Sequence, residues 1–224
     1  MSRIDDIRPR NVGHRARLWS VTVVDLRAET RAYGRARLRE LALDAAREVV
    51  LDRGWSAVRM GAIAMAVGIS RQSLHAEFGT KDELGNALVM RETAEFFEGV
   101  RARLTEHPGD LAGGVSDAAE YMISVARDNP LLKTILTRTA ADGDVSLLSL
   151  LTVRGEALLE SAMGIVRDWV TGQWPTADSA DVRFMVESVV RLCQSHILTP
   201  TKTPAEVGAD LALVASRCLP TAST

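Results

Sequence analysis

The chain has 224 residues, 46% of them apolar, 25% charged and 4% aromatic, with a formal net charge of −2. That length allows a substantial buried core in one large or two small domains, and the composition is ordinary for a globular protein in water. No run approaches the roughly 18 uncharged apolar residues of a membrane span, and the N-terminus lacks the apolar segment of a secretory signal, so a cytoplasmic location is expected.

Residues 1–37 carry Arg3, Arg8, Arg10, Arg15, Arg17, Arg27, Arg31, Arg35 and Arg37 in a stretch with little helical periodicity. One reading is a flexible arm that lies along phosphates or enters a minor groove, where arginine is favoured. The competing reading is a disordered leader of weak electrostatic effect. Within it, residues 19–24 alternate as a short strand would, with nothing evident to pair with.

Residues 38–84 are the most informative. Leu38, Leu41, Ala42, Ala45, Ala46 and Val49 recur at three- and four-residue steps, giving a first helix with one inward stripe. Gly54 stops it, because a residue without Cβ can take the left-handed conformation that favours a helix end. Trp55 and Val58 plug the space beneath the second helix, expected over 60–67 with Ile63, Ala64 and Val67 inward. Gly68 turns the chain, Ile69 pins the turn, and Ser70 caps a third helix running to about residue 78. The run Thr80-Lys81-Asp82-Glu83 reads as a capping box for a fourth. Two short helices crossing at a glycine turn form a helix-turn-helix, whose second helix fits a DNA major groove.

The residues Ala45-Ala46, Gly54-Trp55, Ile63-Ala64, Val67-Gly68-Ile69-Ser70, Ser73-Leu74, Phe78, Lys81 and Leu84 resemble the N-terminal domain of the TetR/AcrR family of bacterial one-component repressors. The resemblance spans roughly residues 38–88. It implies an all-α homodimer of about nine helices per subunit, in which the first three bind DNA and the rest binds an effector and the partner subunit. Two positions depart from the family pattern: His75 stands where tyrosine is usual, and Met60 where threonine is common. Both usual residues tend to touch DNA in the family, and Glu77 adds a negative charge near the reading face.

Arg71 and Gln72 fall on the first turn of the third helix, the part that meets base edges in such docking; arginine pairs bidentately with guanine and glutamine with adenine. His75, one turn later, can reach a base or a phosphate. Ser70, Ser73 and Lys81 read as phosphate contacts, Lys81 aided by the positive end of its helix. A solvated, non-contacting side chain is the alternative for Arg71 and for His75. Leu74 and Phe78 are expected in the core. The charge distribution agrees with docking on a polyanion: residues 1–80 carry 14 Lys/Arg against 9 Asp/Glu, and the remainder 13 against 20.

Residues 85–219 read as a helical effector-binding and dimerisation domain, with 220–224 as a tail. Helices are expected over 81–105, 111–127, 130–139 (capped by Asn129), from beyond the turn at 142–144 to about 170, 179–198 and 205–219. Phe96, Phe97, Tyr121, Met122, Met163, Trp169 and Phe184 lie on helices that, by resemblance, surround the ligand cavity; core packing is the alternative for each. Arg127, Arg138 and Arg154 can meet a carboxylate or make surface ion pairs. The implied effector is largely apolar, such as a fatty acid, acyl thioester, hydrocarbon or lipophilic drug. Apolar stripes at Val182, Met185, Val186, Val189, Val190, Cys193 and Ile197, and at Val207, Leu211, Val214 and Cys218, form candidate dimer helices that pair about a twofold axis. The stripes can instead face their own subunit's core.

No nucleophile elbow, Walker loop or dinucleotide fingerprint is present, and His14, His75, His107 and His196 lack metal-ligand spacing. The expected protein is therefore not an enzyme and needs no cofactor or metal. Its expected role is a sequence-specific repressor on a palindromic operator. The other reading is a dimeric apolar-ligand binding or interaction protein with degraded DNA recognition.

Overall fold

The computed structural model describes residues 20–137 and 155–219. Every regular element among them is helical: α1 (Ser20–Arg53), a 3-10 turn (Trp55–Ala57), α2 (Met60–Ala66), α3 (Arg71–Phe78), α4 (Lys81–Thr105), α5 (Leu111–Asp128), α6 (Pro130–Thr137), α7 (Gly155–Gln173), α8 (Ser179–Leu198) and α9 (Pro204–Cys218).

The first correction concerns the arginine-rich segment. Residues 20–37 are not an irregular arm, and residues 20–24 are not a strand; both belong to α1, which is 34 residues long. Side chains 29–37 are exposed, so no core stripe marks that part of the helix. Its Ala, Arg, Glu and Leu residues are strong helix formers, and propensity together with continuation of the packed second half suffices. Residues 1–19 lie outside the described residues.

The three-helix reader forms as its turn chemistry requires. Gly54 has φ 77° and donates to the Val50 carbonyl at 2.9 Å. Trp55 and Val58, 3% and 0% exposed, fill the space under α2. Gly68 has φ 76°, and the Ile69 amide returns to the Ala64 carbonyl at 3.0 Å, closing α2 as Schellman-type ends do. The Ser70 hydroxyl accepts the Ser73 amide at 3.0 Å, satisfying an otherwise unpaired donor of α3. The capping box at Thr80 is complete, with the Thr80 amide donating to the Glu83 carboxylate and the Glu83 amide to the Thr80 hydroxyl. The Thr80 amide holds the Glu83 carboxyl below its ordinary pKa range.

The remaining helices form one bundle. Asp110, Asp178 and Thr203 cap α5, α8 and α9, and Asn129 caps α6 by accepting the Leu132 amide at 3.2 Å. α5 packs against α4 and α9, and α7 against α8. At the α5–α9 seam a Cβ on Gly208 would lie 2.7 Å from the Ser116 carbonyl oxygen, so only glycine lets these two backbones approach so closely. The α5–α7 seam uses Gly114, against which the Trp169 indole lies. Residues 138–154, with Arg138, Arg154 and the expected turn at 142–144, lie outside the described residues, as does the 220–224 tail.

Candidate nucleic-acid interface and the core behind it

α3 presents a sharply divided surface. Leu74 and Phe78 are buried at 0% and 6% exposure, whereas Arg71, Gln72, Ser73 and His75 are exposed, as is the capping residue Ser70. These side chains therefore stand on one outward edge with two hydrophobic anchors beneath it. The Ser70 and Ser73 hydroxyls are 2.8 Å apart, and Arg71 Nε donates to His75 Nε2 at 3.4 Å. His75 Nδ1 lies 2.6 Å from the Gly79 carbonyl, which ties the ring to the end of its own helix. Met60 is 7% exposed and belongs to the core, so this position offers no group to DNA.

Two predicted features have partners that the sequence did not reveal. Glu77 is turned towards α1, where Arg35 and Arg39 approach its carboxylate at 3.6 and 3.5 Å, and the Arg39 guanidinium also covers the Phe78 ring at 4.6 Å. Its negative charge is thus offset on the side of α3 that faces α1. Lys81 Nζ donates to the Trp55 carbonyl at 2.9 Å and sits 4.8 Å above the Trp55 ring. That ammonium fastens the start of α4 to the reader's core, whatever else it meets.

Behind the reader lies a buried polar junction. Glu92 on α4 is 2% exposed; one carboxylate oxygen accepts Arg47 Nε of α1 at 2.8 Å, and the other accepts Asn129 Nδ2 at 3.1 Å. Arg91 beside it donates to Asp44 and Glu40 of α1 at 2.8 and 3.1 Å. The sequence reading missed Arg47, Glu92 and Asn129 as a group. The available signal was a carboxylate four residues from both Leu88 and Phe96, inside the apolar stripe of α4.

The bundle core holds an apolar cavity of about 40 Å³ whose walls include Phe96 and Phe97 of α4, Met122 of α5, Leu136 of α6, Leu159 of α7 and Gln194 of α8. Three of the seven residues expected around the ligand cavity, Phe96, Phe97 and Met122, are therefore brought together. Tyr121, Met163 and Trp169 are not among its walls. Tyr121 stacks on Phe96 at 6.1 Å and lies against Gly99; burial pushes its phenol pKa up. Met163 is buried, and Trp169 packs edge-on to Trp174 at 5.6 Å. Phe184 is 65% exposed and far from any core role. Gln194, whose amide donates to the Leu136 carbonyl at 3.2 Å, is a cavity residue that the search for apolar stripes passed over.

The expected dimer stripe also needs correction. Val186, Val189, Val190, Cys193, Ile197 and Leu211 are between 1% and 6% exposed within a single subunit, and Val190 and Ile197 line the cavity. These side chains face their own core, because an apolar stripe does not say which partner covers it. Val214 and Cys218 are half-buried. The large exposed apolar residues of the same two helices are Phe184, Leu192, Leu198 and Leu213.

Comparison with known proteins agrees with this architecture. Residues 42–88 match the family model described as "Bacterial regulatory proteins, tetR family", and residues 110–217 match "Bacterial Tetracyclin repressor, C-terminal domain". Over 178 residues the chain is 30% identical to the HTH-type transcriptional regulator AlkX of Mycobacterium tuberculosis, covering 80% of this chain and 83% of the relative. The chain belongs to the TetR family of bacterial transcriptional regulators. Among solved structures, the TetR-family repressor AlkX from Dietzia sp., implicated in biodegradation of n-alkanes, superposes with a TM-score of 0.59 at 24% identity, covering 79% of this chain and 94% of that one. FadR of Bacillus subtilis, solved in complex with stearoyl-CoA, gives 0.56 at 14% identity, covering 79% and 97%. The first match falls on the second half of α1, on α2 and α3 and on the start of α4, and the second on α5–α9. No helix among the described residues is long and apolar enough to cross a membrane.

Proposed function

We propose that this TetR-family regulator is a homodimeric repressor that reads a palindromic operator with α3 and releases it when an apolar effector enters the core. The observation that carries the reading is the outward edge of α3: Arg71, Gln72, Ser73 and His75 are exposed above buried Leu74 and Phe78. Arg71 and Gln72 are the base-reading residues, and Ser70, Ser73, His75 and Lys81 position the phosphates. The basic N-terminal third supports attraction to DNA, and the ion pairs of Glu77 with Arg35 and Arg39 weaken the case for degraded recognition.

Dimerisation places two such edges about 34 Å apart, one helical turn of DNA. The exposed Phe184, Leu192 and Leu213, flanked by Val214 and Cys218, are the face that a second copy covers. The effector is a lipid-like molecule, consistent with Phe96, Phe97 and Leu136 around the cavity and with the stearoyl-CoA of the FadR neighbour. The site of action is the bacterial cytoplasm.

A salt series of gel shifts on the chain's own upstream region tests the DNA reading. Specific binding that weakens steeply with salt is expected. In Arg71→Ala, loss of a bidentate base contact should weaken the specific site by about 1–3 kcal/mol and leave sequence-blind binding nearly unchanged. An Arg71→Ala protein with full operator preference would remove the base-reading assignment.

A further inference from the structure

A second cavity of about 80 Å³ lies beside the apolar one and differs from it in chemistry. Arg127 of α5, Lys133 of α6, His196 of α8 and Lys202 of the α8–α9 loop converge on it, together with Ile123 and Ile197. Its lining contains no carboxylate among the described residues, although the chain beyond residue 80 carries more Asp and Glu than Lys and Arg. Four basic side chains from four segments therefore gather against an acidic background. Outside the lining, Asp128 meets Arg127 at 3.2 Å, and Asp210 meets Lys202. Exposed pairs of this kind hold loosely and can yield to a better anion.

The position of this cavity matters as much as its charge. Ile197 is a wall of both the basic cavity and the apolar one. Met122 and Val190 are in turn shared between the apolar cavity and a third, about 20 Å³, that ends among Val100, Leu104 and Cys193. The three linings thus differ in order: basic around the second cavity, apolar but for Gln194 around the first, and wholly apolar around the third. Room for several waters is available at the cationic end, enough for one carboxylate or phosphate group.

We propose that the basic cavity binds the anionic head of an amphiphile whose acyl chain passes Ile197 into the core. The inference rests on the effector reading above and specifies the ligand as an anionic group on a long apolar chain. The charge can come from a terminal carboxylate or, with the pantetheine arm lying between head and acyl chain at Ile197, from the phosphates of a coenzyme A thioester. Arg127 and Lys133 supply charge-assisted hydrogen bonds to it, His196 lies beside them, and Lys202 closes the site from the loop.

Calorimetry on the full chain with dodecanoate, dodecanoyl-coenzyme A and dodecanol tests this. At least one anionic probe should bind roughly tenfold to a hundredfold tighter than dodecanol, the range expected for hydrogen bonds to charged groups. The double variant Arg127→Gln/Lys133→Gln should lose that preference while keeping its affinity for dodecanol. Lys202→Gln, on a loop, should show part of the same loss even if the double variant fails to fold. Preference for dodecanoate assigns the head to a carboxylate, and preference for the thioester assigns it to phosphate. Equal binding of dodecanol and both anions, or an unchanged preference in the variants, overturns the head-group site. Operator release is measured separately. Charge-dependent binding that leaves DNA bound would sink the effector reading alone, whereas release by dodecanol as efficient as by the anions would sink the head-group site alone.

Discussion

At the scale of single residues, the Glu92 carboxylate joins three elements through two side chains, Arg47 and Asn129. Replacing it with leucine leaves the buried Asn129 amide without its acceptor, and Glu92→Leu is expected to cost about 1–3 kcal/mol, read as a lower midpoint in urea unfolding. Arg47 is 39% exposed and regains water, which keeps the loss below that of a fully buried broken pair. An unchanged midpoint would mean that the junction adds nothing to the fold. Cys193 offers a pH-linked test. Burial raises its thiol from 9.0 to about 12, so the folded state holds the proton more tightly than the unfolded state. The stability this contributes is complete below pH 9 and is lost as pH rises towards 12. At pH 8 a thiol reagent should therefore modify half-buried Cys218 well before Cys193 in the native protein, with both reacting equally once it is denatured. Equal native rates would contradict the burial.

At the scale of elements, two glycines separate backbone strain from helix propensity. Gly68 has φ 76° with open space around it, so Gly68→Ala meets no clash and suffers only the left-handed penalty, about 1–2 kcal/mol of destabilisation. Gly34 lies mid-helix in α1, also with open space, and Gly34→Ala should stabilise that stretch by up to about 1 kcal/mol. Thermal melts of the pair should move in opposite directions; movement in the same direction would disprove the helical extension of α1 or the turn at Gly68. The contrast also explains what was legible in the sequence. The reader could be recognised because Gly54, Gly68, Ser70 and Thr80 act on their immediate neighbours. The first half of α1 was not, because it offers propensity without a stripe, and amphipathic periodicity was the signal being followed. The cavity was half legible: Phe96, Phe97 and Met122 announced themselves as large apolar residues, but Gln194 and Glu92 did not.

At the scale of the molecule, the apolar residues of α8 and α9 divide into two sets that no one-dimensional pattern separates. Val186, Val190 and Leu211 close the subunit's own core, and Phe184, Leu192 and Leu213 remain outside it. A charge within the exposed set should abolish association while leaving the fold alone. Leu213→Glu, at 50% exposure, is expected to sediment as a monomer with an unchanged helical signal and to lose most operator affinity, since one subunit then binds one half-site. A dimeric Leu213→Glu protein would move the interface elsewhere.

The seam at Gly208 has one more implication. With its backbone seated against Ser116, Gly208 works like the spine of a book, holding α5 and α9 at a spacing that no side chain there would permit. A cavity of about 40 Å³ cannot swallow a long chain without growing. Two of the pages around it are α4 and α6, and the bookmark between them is the Glu92 carboxylate, held at once by Asn129 at the head of α6 and by Arg47 of α1.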